Sequence, residues 1–147
     1  MKTLQFEIQI NASPSIVWDC LWKLENYKLW TSVFCDGSYY EVSEFKEGNH
    51  IHLLSPEGHG MYSVLEKIEE NRLLVFKHLG DILDFKEQEN TNWENAFESY
   101  ELIENDKETY LKVAVDTLEK YTPFMEETFP KALHALKNLS EKQTIYY

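Results

Sequence analysis

Leu74, Phe76 and His78 alternate along one segment, so a strand that buries Leu74 and Phe76 also turns His78 inward. In a later segment Glu94, Ala96, Glu98, Tyr100 and Leu102 share one face, while Phe97, Ser99 and Ile103 share the other. Alternation alone leaves both phases open. The first is preferred here because Leu102 then continues the core and the chain returns through Leu111, Val113 and Val115. In that phase an imidazole, a carboxylate and a phenol meet in apolar surroundings, an arrangement that orients a small ligand. A carboxylate and a histidine within hydrogen-bond reach also suit general base and acid, and a plain structural hydrogen bond is the third use of the same pair. No residue is assigned as catalytic on strand phase alone.

Other reactive side chains are less well arranged. His50 and His52 alternate on one side of a strand and His59 follows in the next turn, but their spacing fits no familiar zinc site. Cys35, beside Asp36, has no basic neighbour to favour the thiolate. With Cys20 as the only other cysteine, two free thiols are expected rather than a bridge. The sequence contains no Gly-rich phosphate loop, no Ser-His-Asp order and no CxxC pair, so neither a metal nor a cofactor is expected.

The elements that must position these groups follow from periodicity. Leu4, Phe6, Ile8 and Ile10 alternate with Thr3, Gln5, Glu7 and Gln9, which predicts a strand with one buried face. Ser13 is placed to cap a helix and Pro14 to open it, with the helix running to about Leu24. Ile16, Val17, Cys20, Leu21 and Leu24 form its apolar stripe, which Trp18 and Trp22 widen. A short second helix carries Tyr27, Leu29 and Trp30. Six strands are expected over Ser38–Glu44, Asn49–Leu54, Gly60–Glu69, Leu73–Leu79, Glu94–Glu104 and Thr109–Thr117. Their short connections imply an antiparallel meander, and the one longer connection, GDILDFKEQENTN, reads as polar and mobile. Met125, Phe129, Ala132, Leu133, Leu136 and Leu139 give a C-terminal helix one buried face, with Pro130 outside that stripe.

The whole suits one domain over residues 1–147, long enough to bury roughly 70% of its unfolded surface. Aromatic residues make up 14% of the chain, more than a minimal core needs, so bulky side chains either pack solid or surround a cavity. The formal charge is −12 and Arg72 is the sole arginine, which excludes nucleic acid and anionic membrane as partners. The N-terminal segment alternates where a signal sequence would have an apolar run, so a cytoplasmic location is expected.

The stretches SPSIVW with Trp30 beyond it, FKEGN, VLEKIEENRLLVF, ESYELIENDKETYLKV and FPKALHALKNLSE, taken in register, resemble the START-like (SRPBCC, birch-pollen-allergen) superfamily. Within it the chain looks like the branch of activators of the heat-shock protein 90 ATPase. The resemblance implies an α+β helix-grip fold: a curved antiparallel sheet of about seven strands wrapped around a long C-terminal helix, with two short helices after the first strand. It also implies a largely apolar cavity between sheet and helix, with Trp18, Trp22 and Trp30 closing one end of the core. The lining expected on this basis is Trp30, Phe76, His78, Trp93, Glu98, Tyr100, Phe129 and Leu133. The sequence departs from such relatives at Phe129-Pro130, where they often carry a tryptophan, and at His78, where they carry an aromatic residue. The leading expectation is a binding domain for a small apolar or amphipathic molecule. A co-chaperone-like domain with a protein partner and an enzyme using His78 and Glu98 are the alternatives.

Overall fold

The computed structural model describes residues 1–89 and 93–145. Strand β1 (Lys2–Ile10) leads into helices α1 (Pro14–Trp22) and α2 (Leu24–Trp30). Strands β2 (Tyr39–Val42), β3 (His50–Leu54), β4 (Gly60–Glu69), β5 (Leu73–Leu83), β6 (Lys86–Glu87), β7 (Ala96–Asn105) and β8 (Glu108–Thr117) follow, and helix α3 (Thr122–Ile145) comes last. One antiparallel sheet runs in the order β1-β8-β7-β5-β4-β3-β2, with β6 folded back on β5. The architecture is α+β, with the curved sheet on one side of the long last helix.

Alternation dictates which face is covered. Leu4 and Ile10 of β1, Leu74 and Phe76 of β5, Tyr100 and Leu102 of β7, and Leu111, Val113 and Val115 of β8 are all buried. Against them α3 sets Phe129, Ala132, Leu133 and Leu136, spaced three and four apart on one stripe. Phe6 stacks on Phe129 with centroids 4.9 Å apart, locking β1 to the helix. Pro130 stays exposed, outside that stripe. Gly60 is required where β3 and β4 meet, because a Cβ there would lie 1.8 Å from the Leu53 carbonyl oxygen.

The sheet differs from expectation in its middle. The acidic stretch after Leu79 is in good part structured: β5 continues to Leu83 and turns through Asp84 and Phe85, both at positive φ, into β6. Its last three residues, 90–92, lie outside the described residues. Among the described residues the strands therefore number eight, the added one being the two-residue β6. Strand β2 is shorter than expected, and β7 starts at Ala96, two residues after Glu94.

The start of α1 also departs from expectation. The Ser13 hydroxyl lies 3.2 Å from the Ser15 hydroxyl and caps no helical N–H. Its backbone carbonyl instead accepts from the N–H groups of Ile16 and Val17. Pro14 lacks an N–H to satisfy, which lowers the demand for a side-chain cap. The helix stops at Trp22, because Lys23 adopts an extended conformation before α2 begins.

Near its C-terminal end α3 is clamped to the corner between β1 and α1. Lys137 Nζ donates to the Gln9 carbonyl at 2.9 Å and to Glu141 Oε2 at 2.6 Å, and the Asn11 N–H donates to the same carboxylate oxygen at 2.9 Å. Partial burial pushes the Glu141 carboxyl up, but the bonds from Lys137 and Asn11 outweigh it and hold the group below its usual range. A depressed carboxyl stabilises the fold above the unfolded pKa of roughly 4.3, and that stability is lost as pH falls through the folded value. Glu141→Gln is therefore expected to lower stability by about 1 kcal/mol at neutral pH. Urea unfolding of both proteins at pH 7 and pH 3.5 checks this, the difference closing at the lower pH.

Candidate functional site

The register of three strands builds one polar chain into the covered face. Phe76 of β5 pairs with Glu98 of β7, and His78, two residues on, pairs with Ala96. The pairing of β4 with β5 slips between Tyr62 and Ser63, which sets Ser63 directly opposite His78. Ser63 and His78 are both fully enclosed. Ser63 Oγ lies 2.7 Å from His78 Nδ1, and His78 Nε2 lies 3.0 Å from Glu98 Oε1. The Tyr100 hydroxyl, two residues along the same strand face, donates to Glu98 Oε2. Each carboxylate oxygen thus has a donor of its own.

The order of this chain decides what it can do. Serine, histidine and glutamate are connected as in an acyl-transfer triad, but the hydroxyl is at the closed end and the carboxylate at the open end. Ser63 is fully buried and lines neither the cavity nor the adjoining cleft, so its hydroxyl is not placed to attack a substrate held there. Glu98 is the group that faces a cavity. A hydroxyl can donate or accept, so Ser63 satisfies His78 whether the imidazole is neutral or protonated. The chain can therefore hold a proton behind Glu98 without breaking a hydrogen bond.

The cavity measures about 220 Å³ and lies between the sheet, α2 and the first turns of α3. Among the described residues, seven aromatic side chains line it: Trp22, Tyr27, Trp30, Phe34, Phe76, Tyr100 and Phe129. Trp22 is the hub of this box, meeting Trp18, Trp30, Phe76 and Tyr100 edge to face at centroid distances of 4.9–6.4 Å. Trp30 Nε1 donates to the Leu21 carbonyl and the Tyr40 hydroxyl to that of Trp22, tying α2 and β2 to the end of α1. The indole N–H of Trp22 is buried with no acceptor among the described residues. Thr31, Ser38, Leu53, Met61 and Met125 complete the wall.

A wider, more open cleft of about 700 Å³ adjoins the cavity, and Met61 and Met125 line both. Asp81, Ile82, Leu83, Trp93, Tyr121 and Phe124 form part of its walls. Trp93 donates its indole N–H to Asp81 Oδ1 at 2.7 Å and sets its ring edge to face against His78, 6.0 Å away.

Of the residues expected to line a cavity, the structure brings Trp30, Phe76, Glu98, Tyr100 and Phe129 together there. His78 stands behind Glu98, Trp93 faces the outer cleft, and Leu133 packs into the solid core nearer the middle of α3. The histidines considered for zinc disperse: His50 is exposed, His52 bonds Glu87 at 2.8 Å, and His59 lies 3.8 Å from Asp84. Among the described residues no cluster of three such ligands forms. Cys20 and Cys35 are free, and burial pushes the Cys20 thiol up despite its bond with Ser140.

Sequence reasoning missed Ser63, Tyr27, Leu53 and both methionines. Ser63 sits between Met61 and Leu65 on an alternating face, and that period was the available signal. Its partner depends on a register slip that no local pattern announces.

No family model matches the sequence, and no curated protein matches it. Solved structures do. The Aha1 dimer from Colwellia psychrerythraea aligns at 20% identity over 99% of this chain and 98% of that one, with a TM-score of 0.67. Protein MLL2253 from Mesorhizobium loti aligns at 13% identity over 96% and 98%, with a TM-score of 0.75. CalU16 from Micromonospora echinospora aligns at 13% identity over 98% of this chain and 79% of its own, with a TM-score of 0.67. The chain has the helix-grip fold of these proteins, and at such identities the likeness is one of fold.

Burial, with the charge and hydrogen bond of Glu98 adding to it, pushes the Tyr100 phenol well above its ordinary range, and burial likewise raises Tyr27. Such a phenol favours the folded state below the unfolded pKa of about 10, and the benefit is lost as pH rises through the folded value. Tyr100→Phe is expected to cost on the order of 1.5–3 kcal/mol at pH 7, because a bond to a carboxylate is lost. Its stability should fall less steeply than that of the native protein between pH 9 and pH 11, as read from urea midpoints.

Proposed function

We propose that this chain is a binding domain for one small apolar or amphipathic molecule, held between the sheet and the first turns of α3. The observation that carries the reading is the aromatic cavity of about 220 Å³ with a single carboxylate fixed in its wall. Solid packing would leave no such space, since protein interiors match organic crystals in density. Trp30, Phe76, Glu98, Tyr100 and Phe129 are the contacts proposed from among the expected lining, with Trp22, Tyr27 and Leu53 added. The ligand would leave the cavity past Met61 and Met125.

The enzyme reading requires a substrate whose proton Glu98 can take, with His78 behind it as the store. It needs the same occupied cavity and so comes second to binding. The protein-partner reading rests on fold likeness to the Aha1 dimer, and that likeness carries no interface. Among the described residues no helix is long and apolar enough to cross a membrane.

Native mass spectrometry and calorimetry with a neutral one-ring compound such as 2-phenylethanol test the proposal. One molecule per chain is expected to bind. Leu53→Trp should abolish that binding by filling the cavity, at a cost of ~1–3 kcal/mol in stability. Undiminished binding by the folded variant would locate the ligand elsewhere and sink this assignment.

A further inference from the structure

We infer that the ligand of this cavity is a protonated arylalkylamine: one aromatic ring joined by a short chain to an ammonium group. The inference rests on the binding-domain reading above and specifies its chemistry. It starts from the polar groups of the wall. Thr31 Oγ1 donates to the Tyr27 carbonyl, Ser38 Oγ to the Cys35 carbonyl, and the Tyr100 hydroxyl to Glu98, so these donors are committed within the protein. The Trp22 indole N–H has no acceptor among the described residues and stays a neutral donor, while the charged group of the wall, Glu98, keeps acceptor capacity. A carboxylate offers about four lone-pair sites, and His78 and Tyr100 occupy one on each oxygen of Glu98. At Glu98 the wall therefore calls for a ligand group that donates, and the sign of the charge there decides its class.

The sign of the charge points the same way. Among the described residues Glu98 is the only charged one in the cavity wall, and no lysine or arginine lines it. The lone arginine, Arg72, is committed to Glu69 at 2.5 Å on the surface. His78 does not have to cancel the carboxylate. With Ser63 donating to Nδ1 and Nε2–H donating to Glu98, a neutral imidazole has both nitrogens satisfied. An ammonium at Glu98 gains a charge-assisted bond from its carboxylate, in a cavity whose wall also includes the rings of Trp22, Tyr27 and Trp30. A ligand carboxylate would meet a like charge with no cation to offset it.

Volume sets the size. An apolar cavity of about 150 Å³ admits benzene. The cavity here, about 220 Å³, has room for that ring and a chain of two or three atoms. A long acyl chain would have to continue past Met61 and Met125 into the outer cleft.

The test is calorimetry of the native protein with phenethylamine, 2-phenylethanol and 3-phenylpropionate, repeated with Glu98→Gln. All titrations run in roughly 0.5 M salt, which screens weak attraction of amines to the acidic surface. Phenethylamine should bind one per chain and at least about tenfold tighter than 2-phenylethanol, with 3-phenylpropionate weakest. Glu98→Gln should remove that preference, bringing phenethylamine and 2-phenylethanol within about threefold of each other. The comparison among ligands needs no variant, so a misfolded Glu98→Gln protein would not spare the inference. Binding of 2-phenylethanol with no gain for the amine overturns the amine assignment and leaves the binding domain standing. A preference that survives in folded Glu98→Gln likewise overturns the role of Glu98. Failure of all three compounds overturns both readings.

Discussion

An antiparallel sheet with one apolar face must cover that face, and here a single long helix is available to do it. The 24 residues of α3 extend about 36 Å, enough to cross the sheet, but its apolar stripe is uneven. From Phe129 through Leu136 the helix packs tightly, with Phe6 stacked beneath it. Before Phe129 it turns polar, and Phe124 is 50% exposed. The gap at that end falls to the two short helices. Trp22 and Trp30 are carried across it, and what their rings do not fill is the cavity. The helix-grip fold and the site thus have a common origin, a cover that is apolar over only part of its length.

Into that gap the sheet places groups that an apolar core would reject. Burying a histidine beside a carboxylate is costly unless every polar atom finds a partner. Here the partners come from three strands: Ser63 from β4, His78 from β5, and Glu98 with Tyr100 from β7. None of the four alone would be stable in this environment, and together they form a closed chain of donors and acceptors. Trp93 and Asp81 shield its outer side.

Much of the frame is legible in the sequence because period and burial have a simple relation. Alternation in β1, β5, β7 and β8 identifies the covered face, and the phase that turns Glu98 and Tyr100 inward is the one observed. The stripe on α3 marks which side of that helix is buried. Sequence reading fails where pairing decides the outcome. The slip that brings Ser63 to His78 is a property of two strands jointly, so neither strand reveals it. The β5–β6 hairpin was hidden by its acidic composition, although Ile82, fully buried, continues the alternation through Gly80. Leu133 shares its stripe with Phe129 but sits one turn further along, where the helix is already in contact with the sheet. Resemblance implies that Trp18, Trp22 and Trp30 close one end of the core, and in the structure Trp22 and Trp30 also border a space.

Met61 and Met125, which line both the cavity and the outer cleft, bear on how fast the interior communicates with solvent. Methionine is unbranched, with three rotatable bonds, and adapts its shape without moving the backbone. Rotamer changes of exposed side chains take picoseconds to nanoseconds, and at the half-buried Met61 and Met125 they would reshape the wall that cavity and cleft share. Lid and domain motions are slower by several orders of magnitude. For the guest proposed above, residence time would then be set by how strongly the cavity holds it, with no separate conformational step in series. Occupancy of the cavity by the proposed guest would then follow that guest's free concentration without delay.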